Sequence, residues 1–462
     1  MNDTLKEQGR SFSAETVRLF TYVLHYDELA KPRTLTFRLE APRVVVKRGE
    51  GGTAPAWQPS SGELMQADGH TSREHVTLEK RGGVTVAVDS GSSNGTFING
   101  QRLNGEAVLA DGDLVQVGYA LWSYREVPKT LLRGLDAPPP GVDRSYCPEV
   151  AELQRLLALI APSKEPVLVI AETGSGKELI ANTVHRLSGR KGELVAVDCG
   201  AVPESLFEST FFGHEKGAYT GATEAREGEV LRANKGTLFL DEVGNLAVPS
   251  QAKLLRVLEV SQVSRLGGRG PQPVDVRWVA ATNAQLFDDQ GFRSDLVHRL
   301  AGFVARLPPL RKRREDLGLL TARFLEELGV TSASISAPAA RVLFSHPFPG
   351  NVRQLRATLR SAALLARADS KPGQLELDLP HFPELSRPAV AGASASGAAQ
   401  AEVEAQGDIK PRARPPTSEE LMKVLDETGG NVSQAAKRLQ TYPRQLYRWL
   451  EQMPEVLEKY RK

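Results

Sequence analysis

The stretch VLVIAETGSGKELIA, residues 167–181, joins a short apolar run to a glycine loop and then to a helical pattern. Backbone N–H groups from Gly174 to Lys177, at the start of that helix, can cradle phosphates, and the Lys177 ammonium can reach β- and γ-oxygens. Further on, GTLFLDEVG places Asp241 and Glu242 at the C-terminal end of a second apolar run, where an α/β sheet binds its ligands. Asp241 suits a Mg2+ ion, held directly or through water, and Glu242 suits orienting and polarising an attacking water. An acidic strand end alone is ordinary surface. Loop, lysine, strand and acid pair in this order point instead to hydrolysis of a nucleotide, ATP with Mg2+. Two positions depart from the general phosphate-loop pattern. Ala171 stands for the first glycine, and Glu178 for the hydroxyl residue that usually meets magnesium.

Two more elements extend this chemistry. Asn283 follows a third apolar run, where its amide can sense the γ-phosphate or the water. Arg293 and Arg299 in FRSDLVHR are expected on adjacent turns of one helix, as fingers for a neighbouring subunit's phosphates or as a solvated basic face. The hexapeptide Gly217-Ala218-Tyr219-Thr220-Gly221-Ala222 is of another kind: it has no acid, base or imidazole. Its glycines and single aromatic suit a loop that grips a partner, or a plain surface hairpin.

These residues need elements to hold them. A chain of 462 residues has room for about three domains. With a net charge of +2, any basic surface for nucleic acid must be local. Two cysteines, Cys147 and Cys199, make no disulfide framework, and their spacing makes no zinc site. No apolar run is long enough to span a bilayer, and the polar N-terminus resembles no signal peptide, so a cytoplasmic setting is expected. Residues 16–127 alternate in short β-like runs punctuated by Gly and Asn, which suits a β-sandwich. A Pro-rich segment, 128–141, reads as a linker. Over 142–310 strand-like and helical patterns alternate, as in a doubly wound α/β sheet. After Arg311 strands stop, and 311–375 reads as a helical lid. Residues 376–416 are Ala/Gly/Ser/Pro-biased and read as a flexible tether, and 417–462 return to short helical patterns.

From Val142 to Ala368 the chain resembles the AAA+ module of bacterial enhancer-binding proteins, activators of the sigma-54 form of RNA polymerase. The residues that carry this are ETGSGKE, ESLFESTFFGHEKGAYTGA, GTLFLDEVGNL, FRSDLVHRL, LPPLRKRREDL and HPFPGNVRQL. The resemblance implies a homo-hexameric, Mg-dependent ATPase that uses Gly217–Ala222 to push on sigma-54, with Tyr219 where Phe is usual. It places nucleotide contacts on Glu172, Thr173, Gly174, Ser175, Gly176, Lys177 and Glu178, the last being usual in that family. It makes Arg293 and Arg299 fingers acting in trans and Arg353 a lid arginine reaching the nucleotide. Asp198 stands where the family often has Asn, a switch on the catalytic Glu.

The N-terminal region resembles a forkhead-associated (FHA) domain, an eleven-stranded sandwich that binds phosphothreonine peptides. Lys47-Arg48-Gly49, Thr71-Ser72-Arg73-Glu74-His75 and the run from Asp89 to Thr96 carry the likeness. It implies phosphate contacts from Arg48, Ser72 and Arg73 and a peptide-backbone contact from Asn94, with His75 a packed scaffold residue. Lys47 stands where Gly is preferred. The segment from Thr417 resembles a Fis-type helix-turn-helix. Arg444, Gln445 and Arg448 would meet bases or phosphates of enhancer DNA, and Gln440 takes a turn position usually held by Gly. A helical hairpin for oligomerisation is the alternative there. The whole is expected to be multidomain: an FHA-like β-sandwich, an α/β AAA+ P-loop ATPase with a helical lid, and a small all-α helix-turn-helix. As a function this means an ATP-driven activator remodelling the sigma-54 RNA polymerase holoenzyme, gated by a phosphothreonine protein or peptide, away from any membrane. Two rivals are a phosphopeptide scaffold whose ring does not act on sigma-54, and a DNA-remodelling motor.

Overall fold

The computed structural model describes residues 15–31, 34–49, 55–136, 138–219, 222–268, 270–283, 291–367, 374–386, 421, 422, 424, 425 and 438. Thr220 and Gly221 of the hexapeptide, and Arg444, Gln445 and Arg448, lie outside the described residues, as does Gln440. Two compact units divide the chain, 1–387 and 388–462. In the second, Leu421 and Leu425 are helical and buried, four residues apart on one face.

The first unit opens with a sandwich of two six-stranded sheets. In one, Thr16–His25 lies between Leu35–Arg38 and Ala120–Pro128, and the sheet continues through Leu114–Val117, Thr96–Ile98 and Gln101–Arg102. The other runs Glu106–Leu109, Val84–Asp89, Val76–Arg81, Arg43–Arg48, Glu63–Gln66 and Ala56–Gln58. Among the described residues the two sheets hold twelve strands; the two-residue strand Gln101–Arg102 is a hairpin arm too short to show in a periodicity. Between the sheets, Trp122 stacks on Phe20 at 4.7 Å and meets Tyr22 edge-on at 5.1 Å.

The stretch expected as a linker is partly ordered. A 3-10 turn, Lys129–Leu131, leads into the helix Leu132–Asp136. Leu132 packs on Leu19 and Val127, and the short helix lies against the helix Pro148–Ile160. Its apolar residues recur at helical spacing, a signal masked by the prolines that follow.

Next comes a five-stranded parallel sheet in the order Leu194–Asp198, Thr237–Asp241, Arg277–Thr282, Val167–Ile170, Phe303–Arg306. Its strands are near-continuously apolar because both faces are covered. On one face Leu168, Leu238, Leu240 and Ala280 pack with Phe207, Phe211 and Leu254; on the other Val167, Val169, Phe239 and Val279 pack with Leu157, Ile180 and Val184. The lid carries the helices Leu317–Glu327, Ala337–Ser345 and Asn351–Ala366. It is not purely helical: Ala333–Ile335 pairs in parallel with Leu375–Leu377, and a last helix reaches Ser386. Three-residue strands leave almost no alternation to read.

Sandwich and lid share a core. Val23 and Leu24 of the strand Thr16–His25, with Tyr26 and Leu29 in the turn after it, are buried in one cluster with Leu317, Phe324, Ile335, Leu343 and Phe344 of the lid. Backbones meet as well: Leu29 N–H donates to Ala333 O at 3.0 Å, and Ile335 N–H to Tyr26 O at 2.8 Å. Gly318 is what permits the approach, since a Cβ there would sit 1.9 Å from the Val23 carbonyl oxygen.

Candidate nucleotide site and partner-facing loops

The phosphate loop spans the gap between the strand Val167–Ile170 and the helix Lys177–Leu187, whose first N–H groups have no intrahelical partner. Lys177 is buried, with Nζ 2.6 Å from Glu242 Oε1 and 3.3 Å from Asp241 Oδ1. The sheet brings them together because the strands ending at Ile170 and Asp241 flank the strand Arg277–Thr282. Asp241 Oδ1 also accepts the Glu242 N–H at 2.9 Å. Glu242 itself has φ 51°, a left-handed conformation that costs a non-glycine residue about 1 kcal/mol and clusters at functional sites. Ala171, the departure from glycine, is a core residue: it is buried beside Val169 and Ala281, and its N–H donates to Thr282 O at 3.0 Å. Glu178 is exposed in the first helical turn. Asn283 directly follows Thr282 and is exposed.

The lid meets this loop through Arg353, which the sequence reading named, and through Asn351, Arg311 and Arg313, which it did not. Asn351 is fully buried; its Nδ2 donates to Glu172 Oε2 and Thr173 O, each at 3.1 Å, and its Oδ1 accepts Leu310 N–H at 2.8 Å. Arg311 makes a two-pronged bond to Glu172, at 2.6 and 2.8 Å, which holds that carboxyl below its usual range. Arg313 Nη2 donates to Ser175 O at 2.5 Å. Arg353 N–H donates to Gly174 O at 3.2 Å, while its side chain is exposed. A Cβ on Gly174, at φ 76°, would meet Gly350 O at 2.5 Å. The only available signals were the arginine-rich LPPLRKRRED run and the turn-forming Pro-Gly-Asn, and neither says what it touches. Beside the loop a cleft is lined by Val142, Ser145, Ser175, Gly176, Leu179 and Asp316, among others.

The residues present fit a nucleotide and its metal. Backbone donors, one buried ammonium and two carboxylates converge, and a lone Asp241 beside substrate phosphates is how Mg2+ is commonly held. Asp198 is in register with Asp241 on the neighbouring strand, and its Oδ1 accepts Gly200 N–H at 2.9 Å.

Arg293 and Arg299 stand at the two ends of one short helix. Arg293 is the N-cap residue of the helix Ser294–Leu300, its guanidinium bonded to Asp295 at 2.7 and 3.1 Å. Arg299 sits in the last turn and donates to Leu258 O at 3.2 Å. Asp295 lies in the first turn, where it accepts the Leu296 N–H at 2.8 Å and holds the Arg293 guanidinium just outside the helix.

The hexapeptide tops a small ladder formed by Gly213–His214 and Arg226–Glu227. Gly217 N–H donates to Ala222 O at 2.8 Å, closing the loop, and Tyr219 is 44% exposed, with the His214 ring edge-on at 5.1 Å.

On the sandwich, three loops gather Arg48, Ser72 and Asn94. Arg48 N–H donates to Ser72 O at 2.9 Å, Ser93 N–H to Ser72 Oγ at 3.1 Å, and Asn94 Nδ2 to His70 O at 2.7 Å. Arg48 and Arg73 are exposed. His75 is scaffold: it is buried, its Nδ1 accepts Ser72 N–H at 3.0 Å, Nε2 faces Gly95 O at 3.2 Å, and burial lowers its pKa. Asp89 accepts N–H and O–H donors from Ser92 and Thr96. Lys47, in place of the preferred glycine, pairs with Glu63 at 2.5 Å.

Both cysteines are free and buried, and among the described residues no group of three or more His, Cys, Asp or Glu could hold a metal ion. Among those residues, too, no helix is long and apolar enough to cross a membrane.

Known proteins share these features. Residues 145–305 match the sigma-54 interaction domain, 311–388 the AAA+ ATPase lid domain, 61–118 the FHA domain and 418–453 the Fis family of bacterial regulatory proteins. The nitric oxide reductase transcription regulator NorR2 of Cupriavidus necator is 43% identical over 307 residues, 63% of this chain and 58% of that protein. The anaerobic nitric oxide reductase transcription regulator NorR of Escherichia coli is 43% identical over 251 residues, 52% of this chain and 50% of its own length. The chain thus spans about half the length of these curated relatives. Among solved structures, NtrX from Brucella abortus in complex with ATP is similar over 70% of this chain and 72% of its own, at 28% identity and TM-score 0.47. An FHA domain from Chlamydia trachomatis aligns over 24% of this chain and 98% of its own, at 18% identity and TM-score 0.19. One polypeptide thus carries matches to the FHA domain, the sigma-54 interaction domain, the AAA+ ATPase lid domain and the Fis family of bacterial regulatory proteins.

Proposed function

We propose that this chain is an ATP-hydrolysing transcription activator that remodels the sigma-54 RNA polymerase holoenzyme. The observation that carries the reading is the convergence of Lys177, Asp241 and Glu242 beside the phosphate loop, in the same domain as a loop presenting Tyr219 to solvent. Backbone N–H groups from Gly174 to Lys177 hold the phosphates, and Lys177 exchanges its bond to Glu242 for one to the β- and γ-oxygens. Glu242, released, orients and polarises the attacking water, and Asn283 senses it. Asp241 is the residue that would hold Mg2+, which when bound neutralises charge on the phosphates. Glu172, Thr173 and Glu178 complete the loop's contacts and Arg353 reaches in from the lid. Arg293 and Arg299 act on a neighbour's nucleotide in a hexamer. Turnover drives Gly217, Ala218, Tyr219, Thr220, Gly221 and Ala222 against sigma-54. In this reading Arg48, Ser72, Arg73 and Asn94 take a phosphothreonine peptide that gates the ring, and Arg444, Gln445 and Arg448 tether it to enhancer DNA.

The test is ATP-dependent open-complex formation by sigma-54 polymerase on a pre-melted promoter, comparing wild type with Thr220→Ala. Wild-type activity that the variant loses while still hydrolysing ATP is the expected outcome. Robust hydrolysis without open complexes, even with a phosphothreonine peptide added, would favour a scaffold whose ring does not act on sigma-54.

A further inference from the structure

Arg125 belongs to the sandwich strand Ala120–Pro128, yet its guanidinium is buried among carboxylates from three parts of the chain. Nε donates to Asp111 Oδ1 at 2.7 Å, in a turn of the sandwich. Nη2 donates to Glu149 Oε1 at 2.5 Å, in the first turn of the helix that opens the ATPase domain. Nη1 donates to Glu315 Oε1 at 2.7 Å, in the 3-10 turn that opens the lid. The planar guanidinium, with its donors fixed in direction, serves the three acceptors at once. Glu315 depends on it, because it is 1% exposed and its second oxygen, Oε2, has no hydrogen-bond partner.

The same turn borders the cleft beside the phosphate loop. Arg313, two residues before Glu315, donates to Ser175 O of the phosphate loop at 2.5 Å. Asp316, one residue after it, accepts Ser145 Oγ and Tyr146 N–H, each at 2.7 Å, at the opposite wall. Arg313 and Asp316 both line the cleft, with Ser145, Ser175 and Gly176. Whatever holds Glu315 therefore holds both walls.

We propose that Arg125 is a positioning residue for the nucleotide site: from the FHA sandwich it locks the turn that presents Arg313 and Asp316 to the phosphate loop and cleft. This rests on the nucleotide reading above. It gives the sandwich a direct hold on ATP binding, independent of the hexapeptide loop.

The test uses the full chain and two readouts, hydrogen exchange without nucleotide and titration with ADP. Arg125→Lys keeps a charge and removes the fork. It should raise exchange at residues 310–317 and 172–177 more than elsewhere, and weaken ADP binding about tenfold, the scale of a modest coupling between sites. In hydrolysis it should raise KM for ATP with little change in kcat. The pair Arg125→Gln with Glu315→Gln, which removes the buried charge, should recover most of the affinity. Wild-type exchange and affinity in Arg125→Lys would overturn the assignment. So would a uniform loosening of sandwich and lid that spares the phosphate loop, the mark of a merely structural residue. If Arg125→Lys does not fold, Glu315→Gln makes the same comparison, and unchanged exchange at 172–177 overturns the proposal. Loop exchange that depends on Arg125 in a wild type blind to ADP would uphold the positioning and defeat the nucleotide reading.

Discussion

Glu242 combines two properties that a surface carboxylate lacks: a left-handed backbone and a 2.6 Å bond to the buried Lys177 ammonium. The backbone aims the side chain back across the end of the sheet, over the phosphate loop. Removing its charge should leave the phosphate cradle intact, because the cradle is made of main-chain N–H groups and Lys177. Glu242→Gln is therefore expected to keep ATP affinity within about threefold while turnover falls by about a hundredfold or more, the range for a lost general base. Nucleotide titration and a phosphate-release assay on the same preparation check it. Retained turnover would remove Glu242 from the mechanism. Of the residues around it, Lys177 and Asp241 were legible from type and spacing alone. Asn351, Arg311 and Arg313 were not, since their partners lie roughly 140 to 180 residues away in sequence.

At the level of elements, the 3-10 turn Arg314–Asp316 is where burial and charge compete. Burial pushes the Glu315 carboxyl up to about 7, against the pull of Arg125, and Asp316 adds a like charge. Arg314, Glu149 and the Cys147 thiol are further ionisable groups around it. A carboxyl raised above its unfolded value binds more protons folded than unfolded between the two values. Its contribution to stability is full below the unfolded value and is lost as pH rises through about 7. Melting temperature should thus fall between pH 6 and pH 8 by more in wild type than in Glu315→Gln, a difference on the order of 1 kcal/mol in stability. Parallel melting curves for the two proteins over that range would show the carboxyl does not titrate there. The variant comparison is needed because His75, lowered by burial, works in the opposite direction.

For the molecule as a whole, the sandwich keeps a core of its own between its sheets but also shares a cluster with the lid, and residues 1–387 form one compact unit. Phe344 of the lid is buried in a cluster with Val23, Leu24 and Tyr26 of the sandwich. Truncating it should cost about 3–5 kcal/mol. Scanning calorimetry on Phe344→Ala should show the transition of the sandwich moving together with that of the lid. A shift confined to one of two separate transitions would mean the domains fold independently.

Local signals were enough for the list of parts. Alternation marked the sandwich, apolar runs the parallel strands, and the glycine loop, the Asp-Glu pair and the hexapeptide the sites, because each depends on neighbours within a few residues. The parallel sheet could be expected as a layer but not in its order, nor with Phe303–Arg306 as its edge. Helical order in 132–136 and the pairing of Ala333–Ile335 with Leu375–Leu377 were hidden for want of length. Tertiary structure alone decided that the first strand of the sandwich packs on the lid, and that Arg125 reaches Glu149 and Glu315 at once. The physical reason is range: periodicity and turn chemistry act over a few residues, whereas a buried guanidinium takes its partners from wherever the fold brings carboxylates.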